Sequence, residues 1–332
     1  MSADTSSMET RAFGKTGLMS SALAFGCGKT GGLLIDGADA DRRLAVRKAL
    51  DGGINWFDTA AAYGDGKSEE ALGWLLEEVP EDPYVSTKVT VDPGAGDLPG
   101  QIEESLVSSL KRLRRTHVTV LQLHNRIDPG AGGKALDLEK LLGADGVAEG
   151  LESVKEKGLA KFIGLTALGD APAVSDAIAS GRFDSAQVFY NVVNPSAARP
   201  MPEAWSGQRL TGILAAARAT STAVLAIRVL AGGVIALEKR PERVSMMTKD
   251  TDPELEEKKA AAVFRTLGDK YGSRPQTGVR FALGCADIST VLVGIGAPGH
   301  VDAALAAVTK GPLPEAALTE IEKLYDGNFG LG

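Results

Sequence analysis

Residues 53–79 run Gly53-Ile-Asn-Trp-Phe-Asp-Thr-Ala-Ala-Ala-Tyr-Gly-Asp-Gly-Lys-Ser-Glu-Glu-Ala-Leu-Gly-Trp-Leu-Leu-Glu-Glu-Val79. Ile54–Phe57 is a short β-prone run that closes on Asp58, and Tyr63 follows in a loop of small residues. Leu72, Leu75, Leu76 and Val79 then fall at i, i+3, i+4 and i+7, the stripe of an amphipathic helix. The unit is strand, loop, helix.

The same unit recurs along the chain. Short β-rich runs occur at Leu23–Phe25, Ile54–Phe57, Tyr84–Lys88, Val118–Leu123, Lys161–Leu165, Ser185–Tyr190, Ala223–Ile227 and Thr290–Val293. Several are almost continuously apolar or β-branched, as strands buried on both faces are. Helical stripes lie between them: Ile102, Leu106, Leu110 and Leu113; Val147, Leu151 and Val154; Val301, Leu305 and Val308. A last stripe carries Leu318, Ile321 and Leu324. Eight strands alternating with helices predict a closed (β/α)₈ TIM barrel as one domain over 1–332. The alternative is an open doubly wound sheet, which normally carries a GxGxxG fingerprint after its first strand. The glycine-rich stretch Phe25–Gly32 lacks that spacing and that of a P-loop. It is either a flexible loop or backbone lying close to a ligand. Before the first barrel strand, Arg11–Leu18 suits a tight hairpin with Gly14 and Gly17 as turn residues, placed to plug the N-terminal end of the barrel. Three connections exceed simple turns: Asn125–Ala144, Asn191–Gln208 and Val229–Leu255, the last with a charged stretch from Glu238 to Asp250 expected to be mobile. In a barrel they lie at the C-terminal rim, where sites are built.

Composition narrows the function. The net charge of −7 argues against nucleic acid or an anionic membrane as the main partner. Two cysteines in no CxxC spacing and three histidines give little basis for a disulfide framework or a metal site. The N-terminal residues contain no apolar signal region and no stretch has the length of a membrane span, so a cytoplasmic location is expected.

Four polar side chains fall at or just after strand ends: Asp58, Tyr63, Lys88 and His124. Singly, each has an ordinary structural explanation as a turn former, a solvated rim charge or a packing group. A barrel brings the ends of its second, third and fourth strands together, and the set then makes chemical sense. Reducing a carbonyl needs a proton on oxygen, and a tyrosine with a pKa near about 10 gives one up reluctantly. A lysine cation beside it favours the phenolate. Asp58 can hold that lysine, and His124 can orient the substrate oxygen. The hydride must come from a cofactor. Trp205, Met201, Trp56 and Phe25 are either apolar walls for a substrate or core.

The chain resembles the aldo-keto reductase superfamily over nearly its whole length. The residues that carry the resemblance are Gly53–Gly64 with Ser68-Glu-Glu-Ala-Leu-Gly73, Ser86-Thr-Lys-Val89, and Leu121-Gln-Leu-His124. The resemblance implies a catalytic tetrad of Asp58, Tyr63, Lys88 and His124, a small carbonyl or alcohol substrate, and a monomer. Ala186–Asn191 is similar to the family's sixth strand and implies that Gln187 bonds the nicotinamide carboxamide. Gly164-Leu-Thr-Ala167 stands where the family has G-x-S-N, so Thr166 can replace the serine but Ala167 cannot supply the amide. Ile227 occupies the place of an aromatic ring under the nicotinamide. Arg228 is either a rim ion pair or a cation near pyrophosphate or substrate. Members that prefer NADP(H) carry basic residues after the eighth strand, where this chain aligns Gly294, Ile295 and His300. The pair that holds adenine becomes Ala303 and Ala304. The cofactor is therefore expected to be NADP(H) or NAD(H), with the choice open. Alternatives are a nucleotide-binding regulatory subunit of the same fold and an NAD-dependent aldose dehydrogenase.

Overall fold

The structure, a computed structural model, describes residues 8–238 and 252–331. An antiparallel hairpin, β1 (Thr10–Ala12) and β2 (Met19–Ser21), precedes eight parallel strands. These are β3 (Leu23–Gly26), β4 (Trp56–Asp58), β5 (Tyr84–Val89), β6 (Val118–Leu123), β7 (Ala160–Ala167), β8 (Ser185–Phe189), β9 (Ala223–Ile227) and β10 (Thr290–Gly294). They pair in chain order and close, β10 against β3. The described helices are α1 (Leu33–Asp36), α2 (Asp39–Asp51), α3 (Lys67–Glu77), α4 (Leu98–Leu113), α5 (Leu138–Leu142), α6 (Val147–Glu156), α7 (Ala171–Ala179), α8 (Ile213–Ala219), α9 (Pro253–Leu267), α10 (Arg274–Leu283), α11 (Pro298–Thr309) and α12 (Glu315–Asp326). The expected (β/α)₈ barrel is thus the observed one, and the open sheet is ruled out by closure. Much of the charged stretch 238–250 lies outside the described residues.

Three expected elements lose residues at one end, while β3, β5, β7 and β10 run one or two residues further than expected. Ile54 and Asn55 stand before β4, because the Asn55 side chain is spent on the hairpin. It accepts the Ser21 N–H at 2.8 Å and donates to Met19 O at 3.0 Å. Tyr190 falls just beyond β8. Val79 lies past the end of α3, where Pro80 disfavours helical backbone in the residue before it.

The outward faces of the strands pack on the helices and form the larger core. The inward faces form a second cluster at the barrel floor: Phe13, Ala24, Trp56, Val120, Ala223 and Leu225. Phe13, delivered by the hairpin, is fully buried and stacks on Trp56 with ring centres 4.3 Å apart. The Lys15 N–H bonds to Ser221 O at 2.8 Å and ties the hairpin to the start of β9. Phe25 and Trp56 are wholly buried, and Met201 and Trp205 nearly so. They are core side chains and do not line the cleft described below. Phe13→Ala is expected to cost about 3–5 kcal/mol of stability in a urea melt. A loss below about 1 kcal/mol would mean that the plug contributes no cavity-sized packing.

Candidate active site

Strand period places the polar set. Asp58 is opposite Ser86 in the β4–β5 register, and Lys88 lies two residues further along the same inward face. The Lys88 ammonium donates to Asp58 Oδ2 at 2.5 Å and to Thr59 O at 2.7 Å. Both side chains of this ion pair are 1% exposed. Tyr63 enters from the loop after β4. Gly64 (φ 63°) and Gly66 (φ 89°) adopt left-handed backbone there and turn the chain into α3. The Tyr63 ring centre lies 4.7 Å from Lys88 Nζ, and the His124 ring stands edge-on at 5.9 Å. A Cβ at Gly28 would sit 3.3 Å from the Tyr63 ring, so the first glycine-rich loop packs close against it. The four residues singled out from the sequence are therefore one cluster.

Burial governs the electrostatics. It pushes the Tyr63 phenol above its ordinary pKa, with Lys88 opposing and Asp58 adding to the rise. Lys88 acts on this pKa in the expected, lowering direction, but desolvation outweighs it and the net shift is upward. For Lys88, burial favours the neutral amine, yet Asp58 and Tyr63 together raise its pKa, so the ammonium persists. Burial, and then the Lys88 charge, lowers His124 to about 3. His124 is thus a neutral imidazole at ordinary pH, fit to orient an oxygen rather than to supply a proton.

A cleft of about 430 Å³ opens from this cluster along the C-terminal rim. Asp58, Tyr63 and His124 line it, as do Thr166, Gln187, Ile227, Arg228, Gly294 and His300, the six residues expected to contact a cofactor. Gly26, Gly28, Thr30 and Gly31 also line it, which settles Phe25–Gly32 as backbone beside the cleft. Thr166 Oγ1 is buried with no hydrogen-bond partner among the described residues. A buried hydroxyl of this kind calls for a partner from outside the chain. After β9, Arg228, Ala231, Gly232 and Gly233 all have positive φ, two of them without glycine's freedom. Strained backbone of this type concentrates at ligand sites, although the Ala231 and Gly233 N–H groups are spent within the turn on Arg228 O and Leu230 O. The lining thus fits an extended dinucleotide: a polar group at Thr166, an aliphatic wall at Ile227, and glycine backbone that lets a ligand approach closely.

The family model described as "Aldo/keto reductase family" matches residues 22–326. The chain belongs to the aldo/keto reductase family. It is 28% identical over 331 residues to an L-galactose dehydrogenase of Arabidopsis thaliana, covering 96% of this chain and 95% of the relative. It is 25% identical to a D-threo-aldose 1-dehydrogenase of a Pseudomonas species, over 86% and 88% of the two chains. Among solved structures, the holo form of aldo-keto reductase AKR11C1 from Bacillus halodurans superposes with a TM-score of 0.72 at 21% identity, covering 96% of each chain. This aldo/keto reductase is accordingly an oxidoreductase, and no described helix is long and apolar enough to cross a membrane.

Two cofactor positions are engaged within the aldo/keto reductase chain itself. Gln187 Nε2 donates to Asp58 Oδ1 at 2.6 Å, leaving its amide oxygen as the group for a ligand. Arg228 bonds Glu256 Oε2 at 3.1 Å in a nearly buried ion pair while also lining the cleft. In the sequence Ser86 is marked only as part of the Ser86–Val89 stretch, with no role in the site. It donates to Asp58 Oδ1 at 2.7 Å, and its only sequence signal is its position two residues before Lys88 on the same face. A larger cleft of about 650 Å³ lies on the outer wall, lined by Arg42, Lys67, Lys111 and Arg112 among others. It shares no lining residue with the cleft at the polar cluster, and Arg42 and Arg112 are already bonded to Asp39 and Glu69.

Proposed function

We propose that this aldo/keto reductase interconverts aldehydes or ketones and alcohols with NAD(P)(H), and that its substrates are aldose sugars. The single observation that carries the reading is the buried Asp58–Lys88 pair beside Tyr63, opening onto a cleft that contains the unpartnered Thr166 hydroxyl. The sugar class follows from the two relatives aligned over most of their length, both named as sugar dehydrogenases. When bound, a nicotinamide supplies or takes the hydride. In reduction, the carbonyl oxygen lies between Tyr63 and His124, and the proton it gains comes from the Tyr63 hydroxyl. In oxidation, the Tyr63 phenolate takes the alcohol proton. Lys88 balances the phenolate charge and Asp58 holds Lys88. Thr166 and the Gln187 amide oxygen would hold the nicotinamide carboxamide, and Ile227 would give its ring an aliphatic contact in place of aromatic stacking.

Purified protein assayed with each nicotinamide cofactor against aldehydes, ketones and aldoses tests this directly. Turnover of aldoses is expected; turnover of simple carbonyls alone would remove the sugar assignment. No turnover with any of these classes would favour a regulatory role.

Cofactor preference follows from the rim. The extra phosphate of NADPH carries about two charges, and each charge-assisted hydrogen bond to it is worth about 1.5–3 kcal/mol. Gly294 has no side chain, and His300 Nδ1 already accepts the Gly296 N–H at 3.1 Å. The N-terminus of α11 carries no side-chain cap and contributes only about 0.3–1 kcal/mol at an exposed site. NADPH is therefore expected to bind within about tenfold of NADH, and His300→Arg to shift the ratio toward NADPH by about tenfold or more. A wild-type preference for NADPH of about a thousandfold would place the phosphate on a basic residue elsewhere.

A further inference from the structure

Asp58 is held by more than Lys88. Its Oδ1 accepts from Ser86 Oγ at 2.7 Å and from Gln187 Nε2 at 2.6 Å, while Oδ2 accepts from Lys88. Ser86 is fully buried, and its oxygen accepts the Trp56 indole N–H at 3.0 Å. Chemistry fixes the direction of this chain. An indole N–H only donates and a carboxylate only accepts, so the hydroxyl between them has one arrangement that satisfies both. Trp56 and Asp58 share the inward face of β4, and Ser86 and Lys88 that of β5. Trp56 also forms the floor stack with Phe13, so the chain runs from the barrel floor to the reacting end.

We propose that Ser86, oriented by Trp56, is a positioning residue that sets the charge Asp58 presents to Lys88 and Tyr63, and through it the pH at which Tyr63 exchanges its proton. This rests on Tyr63 being the acid–base group proposed above. A donated hydrogen bond draws charge off the carboxylate, and the indole strengthens that bond by polarising the hydroxyl. The groups facing Tyr63 are Lys88 from β5, Asp58 from β4, His124 after β6 and Cys27 after β3. His124 is neutral, and burial holds the Cys27 thiol well above its ordinary range, so it is neutral too. Lys88 and Asp58 therefore supply the local field, in opposite directions. Removing the Ser86 donor concentrates charge on Asp58, and Tyr63 then keeps its proton to higher pH.

The test is the pH profile of alcohol oxidation, which rises as Tyr63 loses its proton. Ser86→Ala is expected to move that rise upward by about half a pH unit, a fraction of one ordinary hydrogen bond, because the lost bond is to Asp58, and Gln187 and Lys88 still donate to that carboxylate. The KM for the alcohol should stay within about twofold, because Ser86 does not reach the cleft lining. Ser86→Thr, which keeps the hydroxyl, should restore the profile. Trp56→Phe should give a smaller upward shift and add nothing in the Ser86→Ala background, since both act through one hydroxyl. Should Ser86→Ala fold poorly, Ser86→Cys, which leaves no cavity and keeps only a weak donor, is expected to shift the profile the same way. An unmoved profile in both Ser86→Ala and Ser86→Cys, or Trp56 and Ser86 shifts that add in full, overturns the proposal. Tyr63→Phe is the separate control: if it keeps wild-type turnover, the acid–base reading fails first, whatever Ser86 does.

Discussion

Tyr63→Phe is expected to lower carbonyl reduction by about 10²–10⁴-fold, the usual contribution of a positioned general acid. The ring stays, so its packing on Gly28 and its edge contact with His124 persist. Cofactor affinity, read by fluorescence titration, should therefore change little. On the proposed mechanism the loss belongs in kcat, because the deleted hydroxyl would act in the proton transfer rather than in holding the cofactor. The pH dependence follows from the shifts. Burial raises the Tyr63 pKa, so the acid form persists through neutral pH, and reduction should not fall for want of a proton below about pH 10. Oxidation needs the phenolate and should rise with pH. With His124 lowered to about 3, no limb near the ordinary histidine value should appear in either profile. Wild-type kcat in Tyr63→Phe would remove Tyr63 from the mechanism.

Lys88→Met should show the second large effect, in activity and stability together. It leaves the Asp58 carboxylate at 1% exposure without its counter-ion. Breaking a buried pair in this way costs about 3–5 kcal/mol, whereas removing both charges is far milder. Lys88→Met with Asp58→Asn should therefore be more stable than Lys88→Met alone. The sign of the pH dependence is set by the raised Lys88 pKa. Its contribution to stability is fully present below the unfolded value of about 10.4 and is lost as pH rises through the higher folded value. Melts of the wild type above about pH 10 should show that loss, and Lys88→Met should not. A single variant as stable as the wild type would mean that Asp58 is protonated or solvated once Lys88 is gone.

The barrel was legible because each strand is buried on both faces, which leaves runs such as Val118–Leu123 almost free of charge. The polar cluster was legible because Asp58, Lys88 and His124 close three successive strands and closure makes strand ends neighbours. Register was not legible. Nothing in the sequence places Ser86 opposite Asp58, or aims Gln187 across the barrel at the same carboxylate. Arg228 carried two readings because its partner, Glu256, lies beyond the long connection after β9. The net shift on Tyr63 was not legible, because sequence shows the neighbouring lysine but not the depth of burial.

The hairpin floor has a consequence for the order in which the chain can be assembled. Phe13 is synthesised long before its seat exists, since Ala223 and Leu225 come from β9 and Leu292 packs against the same cluster. The Lys15 N–H likewise waits for Ser221. Contacts spanning so much of the sequence carry a high loop-closure cost and form slowly. The earliest-made segment therefore docks only when the last third of the barrel has emerged. Sealing the floor and pairing β10 with β3 both require a nearly complete chain. Until then Phe13, Trp56 and the inward face of each strand stand open at one end, and a stalled nascent chain exposes them to whatever binds apolar surface.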